Sequence, residues 1–191
     1  MYRKCRKSRE KEMWACGGAL LAAAVGVGVF LHFKFKRTLP KGAVAVKPFD
    51  VKKYLGHWYE IARLDYIFEK CLNNVTAYYS LNPDGSVKVV NRGYNYKKDK
   101  DVESEGKAVF VGDPEEAKLK VTFFGPFYGG YNVIDIDPEY KYALVVGESL
   151  HYMWILSREK SVPKDIKDRF LRKAEDLGYN TSKLIWTKHT W

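Results

Sequence analysis

The chain has 191 residues, 46% of them hydrophobic and 15% aromatic, with a formal net charge of +10. This composition excludes a disordered polymer, and the length suits one domain with a short appended segment. The charge is lopsided: residues 1–47 hold 11 Lys/Arg against 2 Asp/Glu, a net of +9, whereas residues 48–191 hold 22 against 21, a net of +1. A nearly neutral body is not what a nucleic-acid-binding domain requires, so no nucleic-acid partner is expected.

Residues 1–12 form a basic segment with Arg3, Lys4, Arg6, Lys7, Arg9 and Lys11. Residues 13–33 are apolar apart from His32, and as a helix they would be about 31 Å long, enough to cross a bilayer core. Lys34, Lys36 and Arg37 close the stretch. It is expected to be a signal anchor, with a cleaved signal peptide as the alternative. Six Lys/Arg precede it and five follow by Lys47, a slight bias toward a cytoplasmic N-terminus and an extracytoplasmic body. Residues 34–47 read as a linker, and 48–191 as the domain.

Of the three cysteines, Cys5, Cys16 and Cys71, only Cys71 lies in the domain, which excludes an internal disulfide there. Cys16 lies near the start of the apolar stretch rather than after it, so a lipoprotein cleavage motif is missing. The four histidines have no metal-ligand spacing, and no metal or cofactor is expected.

From His57 the chain breaks into short β-rich runs with turn signals between them. Strands are expected over 57–65, 74–81, 86–96, 102–111, 117–124, 131–136, 142–147 and 150–157. Asn82-Pro83-Asp84-Gly85, Gly112-Asp113-Pro114 and Asp137-Pro138 are turns between them. Gly125–Gly130 reads as a tight turn with packed rings, or alternatively as a lip that touches membrane. Alternation gives one solvated and one apolar face, as in Lys118-Leu119-Lys120-Val121-Thr122-Phe123. Eight such strands predict an all-β fold: a closed, antiparallel, up-and-down barrel able to hold one small ligand. Ile166, Phe170, Leu171, Ala174 and Leu177 follow helical spacing, predicting a C-terminal α-helix packed outside the barrel. A short final strand is expected over 181–188.

Gly56-His57-Trp58-Tyr59 opens the first strand, Tyr142-Ala143-Leu144 enters a later one, and Arg158 ends the eighth before the helix. With Phe123-Phe124-Gly125-Pro126-Phe127-Tyr128-Gly129-Gly130-Tyr131 and Trp154-Ile155-Leu156-Ser157-Arg158, this combination resembles the lipocalin family. Within it the likeness is to bacterial outer-membrane lipocalins of the Blc type, with apolipoprotein D and plant temperature-induced lipocalins as relatives. The resemblance implies that Trp58 closes the barrel floor, with Arg158 stacked across its indole and Gly56 and Tyr59 completing a structural motif. It also sets the register that turns Ala77, Tyr79, Leu81, Val87, Val89, Asn91, Leu119, Val121, Phe123, Tyr131, Val133, Tyr152 and Trp154 inward. Such a lining suits a fatty acid or lysophospholipid, bound or carried at the bacterial cell envelope by a membrane-attached barrel. An outer-membrane location stays open, as does a homodimer. The alternatives are a carrier of retinoid, haem or pigment, and a lipocalin-type enzyme acting on a lipid or carotenoid. No catalytic residue stands out. Glu60 reads either as a lumen carboxylate in need of a partner or as a rim residue. Phe68 and Cys71, in the loop after the first strand, either meet ligand or pack.

Overall fold

The computed structural model describes residues 38–65 and 71–190. The expected apolar helix over 13–33, Cys5, Cys16 and Phe68 lie outside them. Eight strands follow one another: β1 (Gly56–Leu64), β2 (Leu72–Leu81), β3 (Val87–Asn95), β4 (Lys100–Phe110), β5 (Lys118–Phe124), β6 (Phe127–Ile136), β7 (Tyr142–Val146) and β8 (Met153–Ser157). Each pairs antiparallel with the next, and β8 and β2 both pair with β1, which closes the barrel. The order is the one the turn signals predict, and closure removes the sheet's edges.

The turns at one end share a device. Asp84, Asp113 and Asp137 each accept the backbone N–H two residues on, from Ser86, Glu115 and Glu139. Each has proline beside it in sequence, so backbone angle and side-chain acceptor cooperate in closing the turn. This end is the floor. The opposite end, the mouth, carries the β3–β4, β5–β6 and β7–β8 turns.

Two apolar layers result. Inside lie Trp58, Ala77, Tyr79, Val89, Leu119, Val133, Val145 and Leu156. Outside lie Ile61, Ala62, Ile134, Leu144, Met153 and Ile155, covered by helix α2 (Lys164–Asp176) through Phe170 and Ala174. Helical spacing therefore identifies the face that packs on the wall. The β6 register shifts between Val133 and Asp135, so that Ile134 and Asp135 both lie on the helix side between the inward Val133 and Ile136. Lys173 of α2 donates to the Ile134 carbonyl at 2.7 Å, and Arg169 and Lys173 both reach Asp135.

Several sequence-predicted boundaries move. The segment 125–130 is a hairpin rather than a loop: β5 runs to Phe124 and β6 resumes at Phe127. Phe124 and Phe127 are 69% and 71% exposed. The eighth strand begins at Met153, because Ser149–Tyr152 form a turn with a Tyr152 N–H to Ser149 carbonyl bond. The final segment is a 3₁₀ turn at Thr181–Lys183 followed by a three-residue strand, β9 (Leu184–Trp186). β9 takes the place beside β1 at Ala62–Leu64 that β2 has left. The tail beyond it continues the seam: Thr187 donates to the Ile61 carbonyl and Asn74 to that of Lys188.

Candidate ligand calyx

The floor is built from a short helix and one arginine. Helix α1 (Val51–Tyr54) starts at Asp50, whose carboxylate accepts the Lys52 N–H. Tyr54 at its end packs on Trp58 at a ring separation of 4.8 Å, and the Trp58 indole N–H donates to the Tyr54 carbonyl. Gly56, at φ +93°, turns the chain between them in a conformation that side chains disfavour. The Arg158 guanidinium lies 3.9 Å from the centroid of the Trp58 ring. It also donates to the carbonyls of Lys53, Tyr54, Leu55, His57 and Tyr140. One planar cation thus satisfies the open end of α1 and the entry to β1 while stacking on an indole face. The next residue along from Trp58, Tyr59, turns outward to the helix-covered layer.

Above the floor, Ala77 and Tyr79 of β2, Val89 of β3, Leu119 of β5 and Val133 of β6 are buried in the inner layer. Val121, Phe123, Tyr131 and Trp154 are partly buried against it. Asn91 lies two residues beyond Val89 on the same face of β3 and is half-buried. Tyr152 precedes β8 and stacks parallel to Trp154, with ring centroids 6.4 Å apart. Val87 is buried in the same layer, but Leu81 is not: it ends β2 at the floor turn, 46% exposed. Alternation stops specifying a face where a strand runs out into its turn.

The lining is not wholly apolar. The hydroxyl of Tyr131 lies 2.6 Å from that of Tyr54 and 2.7 Å from that of Tyr79. Burial, followed by the neighbouring tyrosines, pushes the Tyr131 and Tyr54 hydroxyls well above the ordinary tyrosine range. They therefore remain protonated donors at any physiological pH. Three converging hydroxyls provide a neutral polar spot just above the floor. Sequence reading missed Tyr54, because a four-residue helix leaves no periodicity to find.

Glu60 is neither a rim residue nor unpartnered. It is 3% exposed and forms a buried ion pair with Arg63, itself 1% exposed, three residues on. The Thr187 hydroxyl donates to the same carboxylate, and His189 Nε2 meets the Glu60 carbonyl at 2.8 Å. Arg63 also reaches the Leu72 carbonyl across the seam. The C-terminal tail, distant in sequence, supplies half of this cluster, and that hid it.

The Ser157 hydroxyl donates to the Ser161 carbonyl in the turn after β8. Cys71 is half-buried at the mouth, where its carbonyl accepts the Tyr96 N–H. His57 is exposed, its ring edge-on to Tyr59 at 4.6 Å. Among the described residues no three His, Cys, Asp or Glu side chains gather as a metal site.

Against known proteins, residues 49–189 match the family model of the lipocalin-like domain. The chain is 53% identical over 151 residues to the outer membrane lipoprotein Blc of Citrobacter freundii, covering 79% of this chain and 85% of that protein. The Blc protein of Escherichia coli K12 is 52% identical with the same coverage. Among solved structures, insecticyanin of the tobacco hornworm Manduca sexta superposes with a TM-score of 0.65 at 21% identity, over 81% of this chain and 88% of that one.

Proposed function

The chain belongs to the lipocalin family, and from that premise we propose that its calyx binds a single-chain lipid, a fatty acid or lysophospholipid, for storage or transport at the cell envelope. The observation that carries this is the lining. Val89, Leu119, Val121, Phe123, Val133 and Trp154 share one inner face, with the hydroxyls of Tyr54, Tyr79 and Tyr131 and the Asn91 amide set among them. An apolar wall with few polar groups suits an acyl chain, each methylene contributing about 0.8 kcal/mol on burial. The relatives' name, outer membrane lipoprotein, supports an envelope location. Among the described residues no helix is long and apolar enough to cross a membrane. Attachment is proposed to come from residues 13–33, as anchor or as signal, with the domain over 48–191 beyond the membrane. Binding is favoured over catalysis because Ser157 is engaged in its turn and Glu60 in a buried ion pair.

The test is solvent extraction of the full chain purified from its native membranes, followed by mass spectrometry. Stoichiometric recovery of fatty acid or lysophospholipid is expected. Recovery of a retinoid, haem or carotenoid instead, or no lipid together with turnover of an added one, would overturn the proposal.

A further inference from the structure

We propose that the calyx takes a free fatty acid carboxyl end first. The carboxyl group is held by the hydroxyls of Tyr54, Tyr79 and Tyr131 at the bottom of the lumen, and the acyl chain runs up toward Trp154. This deepens the proposed lipid binding, rests on it, and selects a fatty acid over a lysophospholipid.

The first observation is where the hydroxyls meet. Tyr79 comes from β2 and Tyr131 from β6, four strands apart in a closed barrel of eight and so on opposite walls. Their hydroxyls nevertheless lie 2.7 Å apart, and the Tyr54 hydroxyl, carried by α1, lies 2.6 Å from that of Tyr131. The cluster therefore spans the lumen just above the Trp58 floor. The deepest atom of a ligand meets hydroxyls there rather than a hydrocarbon surface.

The second is the count of donors. Three hydroxyls carry three hydrogens, and the two contacts use two of them whichever way they point. When Tyr54 and Tyr79 both donate to Tyr131, the Tyr131 hydrogen is left for a further acceptor. Burial keeps Tyr54 and Tyr131 protonated, so the cluster can donate at any physiological pH. A terminal methyl placed there would strip water from the hydroxyls and return no bond. A carboxyl oxygen accepts, and an ionised one forms the shorter, charge-assisted bond. Arg158 beneath Trp58 adds a field that favours an anion, damped by solvent because the guanidinium is only half-buried.

The third is what the other placements would meet. Arg63 registers opposite Trp154, higher on the wall, but it already holds the Glu60 carboxylate. A second carboxylate brought to it would face that anion. Phe123 and Trp154 offer apolar surface in the upper lumen, which suits a hydrocarbon tail. A lysophospholipid cannot use the hydroxyls in the same way. Its phosphodiester head would have to be buried in an end that Tyr54 and Trp58 close.

The experiment uses the full chain in phosphatidylcholine nanodiscs and two photoreactive hexadecanoic acids, one with a diazirine beside the carboxyl group and one with it beside the terminal methyl. Mass spectrometry maps the labelled residues, and unlabelled hexadecanoic acid or lysophosphatidylcholine of the same chain length competes. The carboxyl-end probe is expected to label the surroundings of Tyr54, Tyr79 and Tyr131 several-fold more than those of Tyr152 and Trp154, and the methyl-end probe the reverse. Hexadecanoic acid should compete about tenfold better than the lysophospholipid, and Tyr131→Phe should narrow that gap several-fold. Reversed or indistinguishable labelling, or no gap between the competitors, would overturn the inference and leave lipid binding standing. Labelling that hexadecanoic acid does not displace, or none at all, would overturn the lipid reading and this inference with it.

Discussion

At the floor, one arginine side chain, more than a hundred residues on in sequence from the four-residue helix and strand entry that it holds, reaches five backbone carbonyls and an indole face. Toward the mouth the wall of β1 is held differently. A buried Glu60–Arg63 pair is completed by Thr187 and His189 from the far end of the chain, and the rim beyond carries exposed rings and lysines. The difference teaches that a calyx separates its tasks along its axis. On the proposed function, the closed end serves stability and the middle of the lumen serves the ligand.

The largest expected effect comes from the seam. Glu60→Ala leaves the Arg63 guanidinium buried without its carboxylate, which should cost about 3–5 kcal/mol. The melting temperature then falls by roughly 10–15 °C. Replacing both residues by Leu and Met should recover most of that loss, as calorimetry can check, because the penalty lies in the uncompensated charge. If the double variant is as unstable as the single one, the seam is held by shape rather than by charge.

Next is Arg158→Ala, which removes bonds from a cation to several carbonyls and the contact with Trp58. A loss on the order of 3 kcal/mol is expected, with a smaller change in ligand affinity. Chemical denaturation beside a ligand titration separates the two. Affinity falling more than stability would count against a floor role.

Tyr131→Phe is milder. It deletes the hydroxyl that links Tyr54 and Tyr79, about 1–2 kcal/mol of stability. If a ligand's polar end meets this cluster, the variant should also weaken binding of a fatty acid more than that of its hydrocarbon analogue. Equal effects on both would place the polar end elsewhere.

The smallest effect concerns pH. Partial burial, and then the nearby Arg158, hold the His57 imidazole below its ordinary value. The unfolded chain therefore takes up the proton first, and stability is lost as pH falls through about 6.5 toward the folded value. His57→Gln should flatten the melting temperature between pH 7.5 and 5.5 by roughly 1 °C. No change in slope would show that His57 titrates as in the unfolded chain.

Much of the fold was legible because local rules agreed with one another. Pro-Asp turns ended strands where the backbone needed them, alternation separated the faces of β3 and β5, and helical spacing picked out the face of α2. Three things were not legible. Aromatic residues around a Gly-Pro pair look like a loop, although the ladder continues through Phe124 and Phe127. A β-bulge such as that between Val133 and Asp135 shifts the parity without a residue type that announces it. The partner of Glu60 comes partly from a tail more than a hundred residues away, which no local pattern encodes.

The division between floor and lumen is tested most directly by one titration. A fluorescent fatty acid is titrated into the native chain and into Val121→Asp, Trp154→Arg and Arg158→Ala, each with its melting temperature. A charge placed in the lumen wall should weaken binding more than tenfold in the first two variants, which stay folded with lowered midpoints. Arg158→Ala should bind within about threefold of the native chain, while its midpoint falls by roughly 10 °C. Undiminished binding in Val121→Asp and Trp154→Arg, or a greater loss in Arg158→Ala than in either, would contradict the assignment of ligand to the lumen and stability to the floor.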